Sequence, residues 1–325
     1  MASPNLSEII TTTLRNRTGR LADNVTNNTA LLQRLKKKGK AKPASGGRTL
    51  VQELEYAENG TYKRYSGYET LDISPSDVFS AAEFDWKQAA VAVTISGLEE
   101  LQNSGPERII DLMEARISNA EKTMMNNIAS DCYSAGTADG GKQIGGMQLL
   151  VSSAPSGDTV GGINASTWSF WQNVVYEGVT DGGTATSAAN ISSYMNRVYT
   201  QLVRNMDKPD LIVADNNYWT FYLESLQAIQ RITSTTEASQ GFMSLKYMNA
   251  DVVLDGGFGG YAPTDTMYFL NTDYLFFRPH RDRNMTVEDG DRVPVNQDAI
   301  VKMLLFAGNM TLSNRSLQGL LFDAA

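Results

Sequence analysis

Histidine and cysteine are almost missing from this 325-residue chain: His280 and Cys132 are the only residues of their kinds. One cysteine excludes a disulfide within the chain and any thiolate zinc cage. One histidine excludes a two-histidine metal site, so no metal and no cofactor is expected. No run approaches the ~18–20 apolar residues needed to cross a bilayer, and no membrane is expected as a partner. The opening MASPNLSEII lacks the charged leader, apolar stretch and cleavage site of a secretory signal, which makes cytosolic synthesis the expectation. The Asn-x-Ser/Thr triplets at Asn59, Asn190 and Asn309 then read as composition rather than glycosylation sites. Finally, residues 1–48 contain no Phe, Tyr or Trp.

That last absence coincides with a division of charge. Residues 1–48 carry ten basic and two acidic side chains, a surplus of eight positive charges. The other 277 residues carry 18 basic and 34 acidic ones, a surplus of sixteen negative charges. A cationic arm is thus joined to an acidic body. With so little apolar surface, the arm is expected to be mobile alone and ordered only against something else. Its cluster of Arg34, Lys36, Lys37, Lys38, Lys40 and Lys42 suits phosphate backbones, acidic faces of sibling chains, or plain solvation. A short helix at 29–38 ends at Gly39, and Pro43-Ala44-Ser45-Gly46-Gly47 reads as a hinge.

From Thr49 the period becomes two, with Leu50, Gln52, Leu54 and Tyr56 on one face. Asn59-Gly60 signals a tight hairpin. Beyond it Tyr62, Tyr65 and Tyr68 sit among Lys63 and Arg64. Alternation returns at 79–95, with Phe84 and Trp86 in one phase, Val91, Val93 and Ile95 in the other, and a bend near Ala89-Ala90. Residues 49–95 therefore read as a long ribbon of paired strands that leans on its own body or on a neighbour. Residues 107–133, opened by Pro106, read as a helix of roughly 40 Å. Its apolar stripe is Ile110, Met113, Ile117, Ala120, Met124 and Ile128.

A mixed block follows. Ile191, Tyr194, Met195, Val198, Leu202 and Met206 mark a second amphipathic helix, and 211–214 a short strand. Asp215-Asn216 caps a third helix running to about Arg231. Residues 252–254 and 268–270 are further strands. Near the end, 299–306 and 310–321 read as strands joined by a hairpin at Gly308-Asn309.

The chemistry this composition allows is thin. Gly136 to Lys142 satisfies G-x-x-x-x-G-K, but Gln143 cannot supply the hydroxyl a magnesium ion needs, and the loop follows a helix. No G-x-S-x-G elbow serves His280, which reads as structural in a basic turn. Cys132 reads as a small buried hydrophobe. Glu288-Asp289-Gly290-Asp291 lacks calcium-loop spacing. No catalytic residue is expected. The rivals to a structural role are a nucleic-acid-binding protein using the arm, and a hydrolase or transferase with an unrecognised site.

The order of these pieces is more specific than any one of them. Thr49-Leu-Val-Gln-Glu-Leu-Glu-Tyr56 through Tyr65-Ser-Gly-Tyr-Glu69 resembles the extended E-loop of the major capsid protein of tailed bacteriophages, whose fold also forms the herpesvirus capsid floor. Residues 107–133 are similar to its spine helix. Gly141-Lys-Gln-Ile-Gly-Gly146, Pro209-Asp-Leu-Ile-Val-Ala-Asp215 and Tyr268-Phe-Leu-Asn271 are similar to parts of its A-domain. Residues 301–320, with Ala307-Gly-Asn-Met-Thr-Leu-Ser-Asn314 and Gln318-Gly319, are similar to its returning strands.

The resemblance implies an α+β phage major-capsid fold. It divides into an N-terminal arm at 1–48, the E-loop and flanking P-domain strands at 49–95, and the P-domain with its spine helix at 96–137. The A-domain takes 138–290, and strands returning to the P-domain take 291–325. It implies a non-enzymatic shell of pentamers and hexamers enclosing double-stranded DNA, in a virion assembled in the bacterial cytoplasm. Implied partners are further copies, a portal, a possible decoration protein and DNA held without sequence preference. The stretch before Thr49 is too short to contain a scaffold segment, so the resemblance implies a separate scaffolding protein or a trimmed start. Assembly contacts are expected from Arg34, Lys36, Lys37, Lys38 and Lys40 of the arm, with Lys36–Lys38 pairing to carboxylates of neighbours. Others are expected from Tyr56, Tyr62, Lys63, Arg64, Tyr65 and Tyr68 of the loop. Some relatives join lysine to asparagine covalently across subunits, which makes Lys63 a candidate donor.

Overall fold

The computed structural model describes residues 29–102, 112–226, 244–256, 260–287 and 297–324. The alternation at 50–56 folds into a strand whose even positions face inward. β1 (Leu50–Glu55) pairs antiparallel with β2 (Phe79–Phe84), Leu50 opposite Phe84 and Glu55 opposite Phe79. Leu50 and Leu54 are buried, whereas Val51, Glu53 and Glu55 face solvent. The ladder stops there. Residues 57–78 contain no strand, and Asn59-Gly60 lies inside this irregular excursion rather than at a two-residue hairpin. The paired-strand ribbon expected for 49–95 is thus confined to its base.

The change of phase falls at Asp85-Trp86, between β2 and β3 (Lys87–Ser96), and not at Ala89-Ala90. The break is held from outside: Asn309 Nδ2 donates to Asp85 O at 2.8 Å and Trp86 Nε1 to Gly47 O at 3.0 Å. It sends β3 into a different sheet, a three-stranded one ordered β11 (Leu275–Val287), β12 (Ala299–Leu312), β3. α1 (Ala30–Lys37) packs against β11. The short α2 (Gly97–Gln102) follows β3, and α3 (Leu112–Asp131) packs across it. Twenty residues at 1.5 Å each give α3 a length of about 30 Å. Pro106 and Ile110 lie outside the described residues, as does the side chain of Met113. Of the expected stripe, Ala120, Met124 and Ile128 are buried and Ile117 is partly buried.

The second sheet has six strands, ordered β6 (Val174–Glu177), β13 (Gly319–Phe322), β10 (Thr266–Leu270), β7 (Leu211–Ala214), β9 (Ala250–Leu254), β8 (Ser244–Tyr247). Every residue of β7 is buried because both sheet faces are covered. Leu211 and Val213 join the core shared with α1, α3 and the three-stranded sheet. Ile212 and Ala214 join a second core beneath α4 (Ile191–Leu202) and α5 (Asn216–Ser225). Asp215 caps α5 as its position suggests, accepting from Asn217 N and Tyr218 N. α4 ends at Leu202, so Met206 lies beyond it and is exposed. α5 spans Asn216–Ser225, and the rest of the stretch to the expected end at Arg231 lies outside the described residues from 227 on. A minor hairpin, β4 (Thr159–Val160) with β5 (Ile163–Asn164), sits beside β2.

The C-terminal reading needs correction. No hairpin forms at Gly308-Asn309; β12 runs straight through it for fourteen residues. Gly308 is there because a Cβ would stand 2.8 Å from Arg278 O and 2.9 Å from Pro279 Cα on β11. The Asn309 carboxamide is buried and binds the loop at Gly145 as well as the break at Asp85. Among the described residues of 291–325, only β12 returns to the sheet beneath α3. β13 instead enters the six-stranded sheet, antiparallel to β10 and parallel to β6. Conversely β11, placed by sequence in the mixed block, belongs to the three-stranded sheet. His280 is within β11 rather than in a turn, and its ring meets Trp86 edge-on at 5.3 Å.

Candidate assembly surfaces

Two segments were expected to protrude, and the structure separates them. In the arm, Leu31, Leu32 and Leu35 recur at helical spacing and all three are buried in the main core. After Gly39, whose φ is +67°, residues 40–44 run parallel to β11 as an added edge strand. Lys42 N donates to Phe277 O at 3.0 Å, Phe277 N to Lys40 O at 3.2 Å, and Ala44 N to Pro279 O at 2.8 Å. The expectation of an arm ordered only by another molecule is therefore wrong for 29–44. The Leu face and the free edge of β11 supply what composition alone did not reveal. Residues 1–28 lie outside the described residues.

The basic cluster is engaged in the same way. Arg34 pairs with Asp210 and Asp251, both at 3.3 Å, and Lys38 with Asp210 at 3.0 Å and Asp273 at 3.4 Å. Lys40 reaches Asp273 at 3.6 Å and its backbone carbonyl at 2.9 Å. Arg34, Lys38 and Lys40 thus find carboxylates in their own chain; of the three lysines expected to pair with neighbours, Lys36 to Lys38, this concerns Lys38. Lys36 and Lys37 are exposed. Asp210, Asp251 and Asp273 carried no signal in the sequence, since Asp210 precedes β7, Asp251 lies in β9 and Asp273 lies between β10 and β11.

The far side of the arm helix is fixed by a buried acid. Thr29, its N-cap residue, makes no side-chain cap bond. Asp255, at the end of β9, does so instead: its carboxylate accepts from the Ala30 and Tyr261 amides and from the Tyr133 hydroxyl just past α3. One side chain ties the arm helix, the α3 terminus and the six-stranded sheet together. Burial raises its pKa to about 6 against the lowering effect of those hydrogen bonds. Burial first, and the Asp255 charge second, raise the Tyr133 pKa well above the usual phenol range. Cys132 beside it is fully buried, and burial pushes its thiol up; this packing agrees with the sequence reading.

The loop is the opposite case. Its root is anchored, for Tyr56 meets Trp168 edge-on at 5.4 Å and stacks on Phe170 at 5.8 Å. Tyr56 is therefore half-buried against its own body rather than presented outward. Beyond the root, Tyr62, Tyr65, Tyr68, Leu71, Ile73 and Phe79 are all exposed, Ile73 to 93%. Lys63 pairs with Glu69 at 3.4 Å and Arg64 lies 5.7 Å over the Tyr62 ring. These contacts are internal to the loop and shape it without covering it. At its base a groove of about 650 Å³ opens between β2 and the β5 side, lined by Tyr56, Phe79, Glu83, Gly161, Trp168 and Phe170. Leu71, Ile73 and Phe79 were missed as surface candidates. The available signal was Leu71 and Ile73 in a stretch with no periodicity to bury them, and Phe79 in the outward phase at the start of β2.

Among the described residues, no group of three His, Cys, Asp or Glu side chains is placed to hold a metal ion. No helix of the described residues is long and apolar enough to cross a membrane. Gly136 to Lys142 forms the loop that ends α3, with Lys87 Nζ donating to Gly141 O.

No family model matches the sequence, and no curated protein matches it. Solved structures do match. The chain is similar to that of the capsid asymmetric unit of cyanophage A-1(L), at 17% identity, with 94% of this chain and 96% of that chain covered and a TM-score of 0.69. The capsid of cyanophage P-SCSP1u matches at 9% identity over 100% of this chain and 97% of that chain, with a TM-score of 0.58. The holo-SrpI encapsulin complex from Synechococcus elongatus PCC 7942 matches at 11% identity over 98% and 95%, with a TM-score of 0.54. The chain has the α+β phage-capsid fold that the order of its elements implied.

Proposed function

We propose that this is a shell-building structural protein, the major capsid protein of a tailed phage. Its copies join through pentamers and hexamers into an icosahedral head around double-stranded DNA. The observation that carries this reading is the loop at 56–78. It displays five large apolar side chains, from Tyr62 to Ile73, on a backbone with no ladder and no core of its own. Such a segment is stabilised only when another surface covers it, and head-to-tail contacts of that kind close into rings. The capsid fold supports the class of protein. Of Arg34, Lys36, Lys37, Lys38 and Lys40, the exposed Lys36 and Lys37 are the ones that meet neighbouring carboxylates. A separate scaffolding protein, a portal and a decoration protein complete the head, and assembly takes place in the bacterial cytoplasm.

A second reading rests on the likeness to the encapsulin chain, which covers nearly all of both proteins: a shell of that kind rather than a phage head. Electron microscopy of the purified protein, alone and with its scaffold, tests the shared part, and closed shells are expected. Nuclease-protected DNA inside particles from producing cells marks the phage head, and its absence favours the encapsulin kind. A chain that stays monomeric at high concentration with scaffold supplied defeats both. Deleting 57–70 is expected to abolish shells while leaving the subunit folded.

A further inference from the structure

The loop that carries the exposed side chains also holds the only Asn-Gly pair in the chain, Asn59-Gly60. We propose that it is a self-modification site, where the asparagine side chain cyclises onto the next amide nitrogen and opens to aspartate or isoaspartate. The Gly60 nitrogen attacks Asn59 Cγ and loses its proton to hydroxide or water. A C–N bond forms, the bond to the side-chain nitrogen breaks, and ammonia leaves. Water then opens the succinimide at either carbonyl.

The geometry favours each part of this step. Asn59 and Gly60 are both exposed, so water and base reach them. Asn59 Oδ1 accepts from Thr61 N at 3.0 Å and from Thr61 Oγ1 at 2.7 Å. Two donors on that oxygen draw electrons from Cγ and hold the charge that develops when it is attacked. The nucleophile is only lightly held: Gly60 N donates to the exposed Ser76 hydroxyl at 3.3 Å.

An internal control isolates the nucleophile. Asn164 has the same two donors on Oδ1, Ser166 N at 2.8 Å and Ser166 Oγ at 2.6 Å, and it is exposed too. Its following residue is Ala165, which is fully buried and whose amide is committed to Asp158 O at 2.9 Å. The two sites share their carbonyl and differ in the amide that must attack. Asn59 reacts and Asn164 does not.

Conversion replaces a neutral amide by a carboxylate and, in the isoaspartyl product, lengthens the backbone where the loop leaves β1. If the loop is covered in the shell, as proposed above, free subunits convert and assembled ones are protected. The test is peptide mapping by mass spectrometry of the full-length protein after incubation at mildly alkaline pH. An amide-to-acid change is expected at Asn59, with Asn164 intact. Gly60→Ala is the decisive variant, because a Cβ there meets nothing within 4 Å and the backbone is outside the left-handed region. It folds as before and loses the product. Conversion at Asn59 no faster than at Asn164, or unaffected by Gly60→Ala, overturns the proposal. Equal rates in free subunits and in shells leave the site standing and count against the covered loop.

Discussion

Residues 29–48 and 56–78 look alike as composition, polar stretches on either side of one strand, and they meet opposite ends. The first has three leucines and no aromatic ring, yet it buries Leu31 and Leu35 completely. The second has three tyrosines beyond its root and exposes all of them. Apolar content does not distinguish them; periodicity does. Leu31, Leu32 and Leu35 fall on one face of a helix, and α3, β11 and the six-stranded sheet offer that face a place to land. Tyr62, Tyr65 and Tyr68 are spaced by three on irregular backbone, and among the described residues no element lies over them. The most disruptive way to test this contrast is to weaken the arm face. Leu31→Ala or Leu35→Ala is expected to cost the isolated subunit about 2–5 kcal/mol, as for other fully buried leucines. A lowered urea midpoint checks it, and an unchanged one returns the arm to the status of a solvated tail.

The next effect in size acts on the other end of the arm helix. Asp255 has its carboxyl raised to about 6 by burial, so the folded protein holds this proton more tightly than the unfolded chain. Stability from this group is greatest at acid pH and falls as pH rises from about 4 to about 6, by roughly 3 kcal/mol in all. Burial raises Asp131 and Asp215 as well, which adds to the trend in the same sense. Comparing denaturation at both ends of this range in the native protein and in Asp255→Asn isolates the contribution. The variant is expected to lose that share of the pH dependence. Identical profiles would mean that Asp255 is not the group that senses pH at the arm.

The salt bridges sharpen the comparison within the arm itself. Arg34→Ala leaves Asp210 and Asp251 without their guanidinium partner in a mostly buried site, a loss of roughly 1–3 kcal/mol. Lys38→Glu sets a third carboxylate against Asp210 and Asp273 and is expected to lower the subunit's midpoint. Lys36→Glu with Lys37→Glu leaves the midpoint unchanged, because both side chains face solvent, and is expected to weaken shell formation alone. A fall in subunit stability from the Lys36/Lys37 pair would show that these side chains pack against their own body.

What could be read from residues alone follows the same line. The strand at 50–56, the arm helix ending at Gly39, the Asp215 cap, the buried strand at 211–214 and the Ala120–Met124–Ile128 face all follow from local period and local hydrogen-bonding chemistry. What escaped was set by distant partners. Asn309 reads as a turn residue beside Gly308, and becomes a buried strand residue because Asp85 and Gly145 bond its carboxamide. Leu320-Leu321 continues the pattern of β12, and leaves its sheet because β6 and β10 are the strands available to it. The arm's lysines read as unpaired because their aspartates lie more than 170 residues away. In the candidate surface, the tyrosines were legible as large rings without a core. The covering of Tyr56 by Trp168 and Phe170 was not, since nothing local joins them.

The smallest expected effect on the subunit is the most informative for the loop. Replacing Tyr62, Tyr65 and Tyr68 together by Ser removes three rings that touch little of their own body, so the urea midpoint of the isolated subunit is expected to stay where it was. Exposed aromatic groups contribute to binding when a partner desolvates them, and a few such residues dominate an interface. The same triple change is therefore expected to abolish shells or reduce them to loose rings in electron micrographs. The Tyr56→Ser variant supplies the contrast, for its ring packs on Trp168 and Phe170, and it is expected to lower the midpoint of the subunit itself. If the triple variant assembles normally, the rings are solvated in the shell as well, and the loop is not what joins one copy to the next.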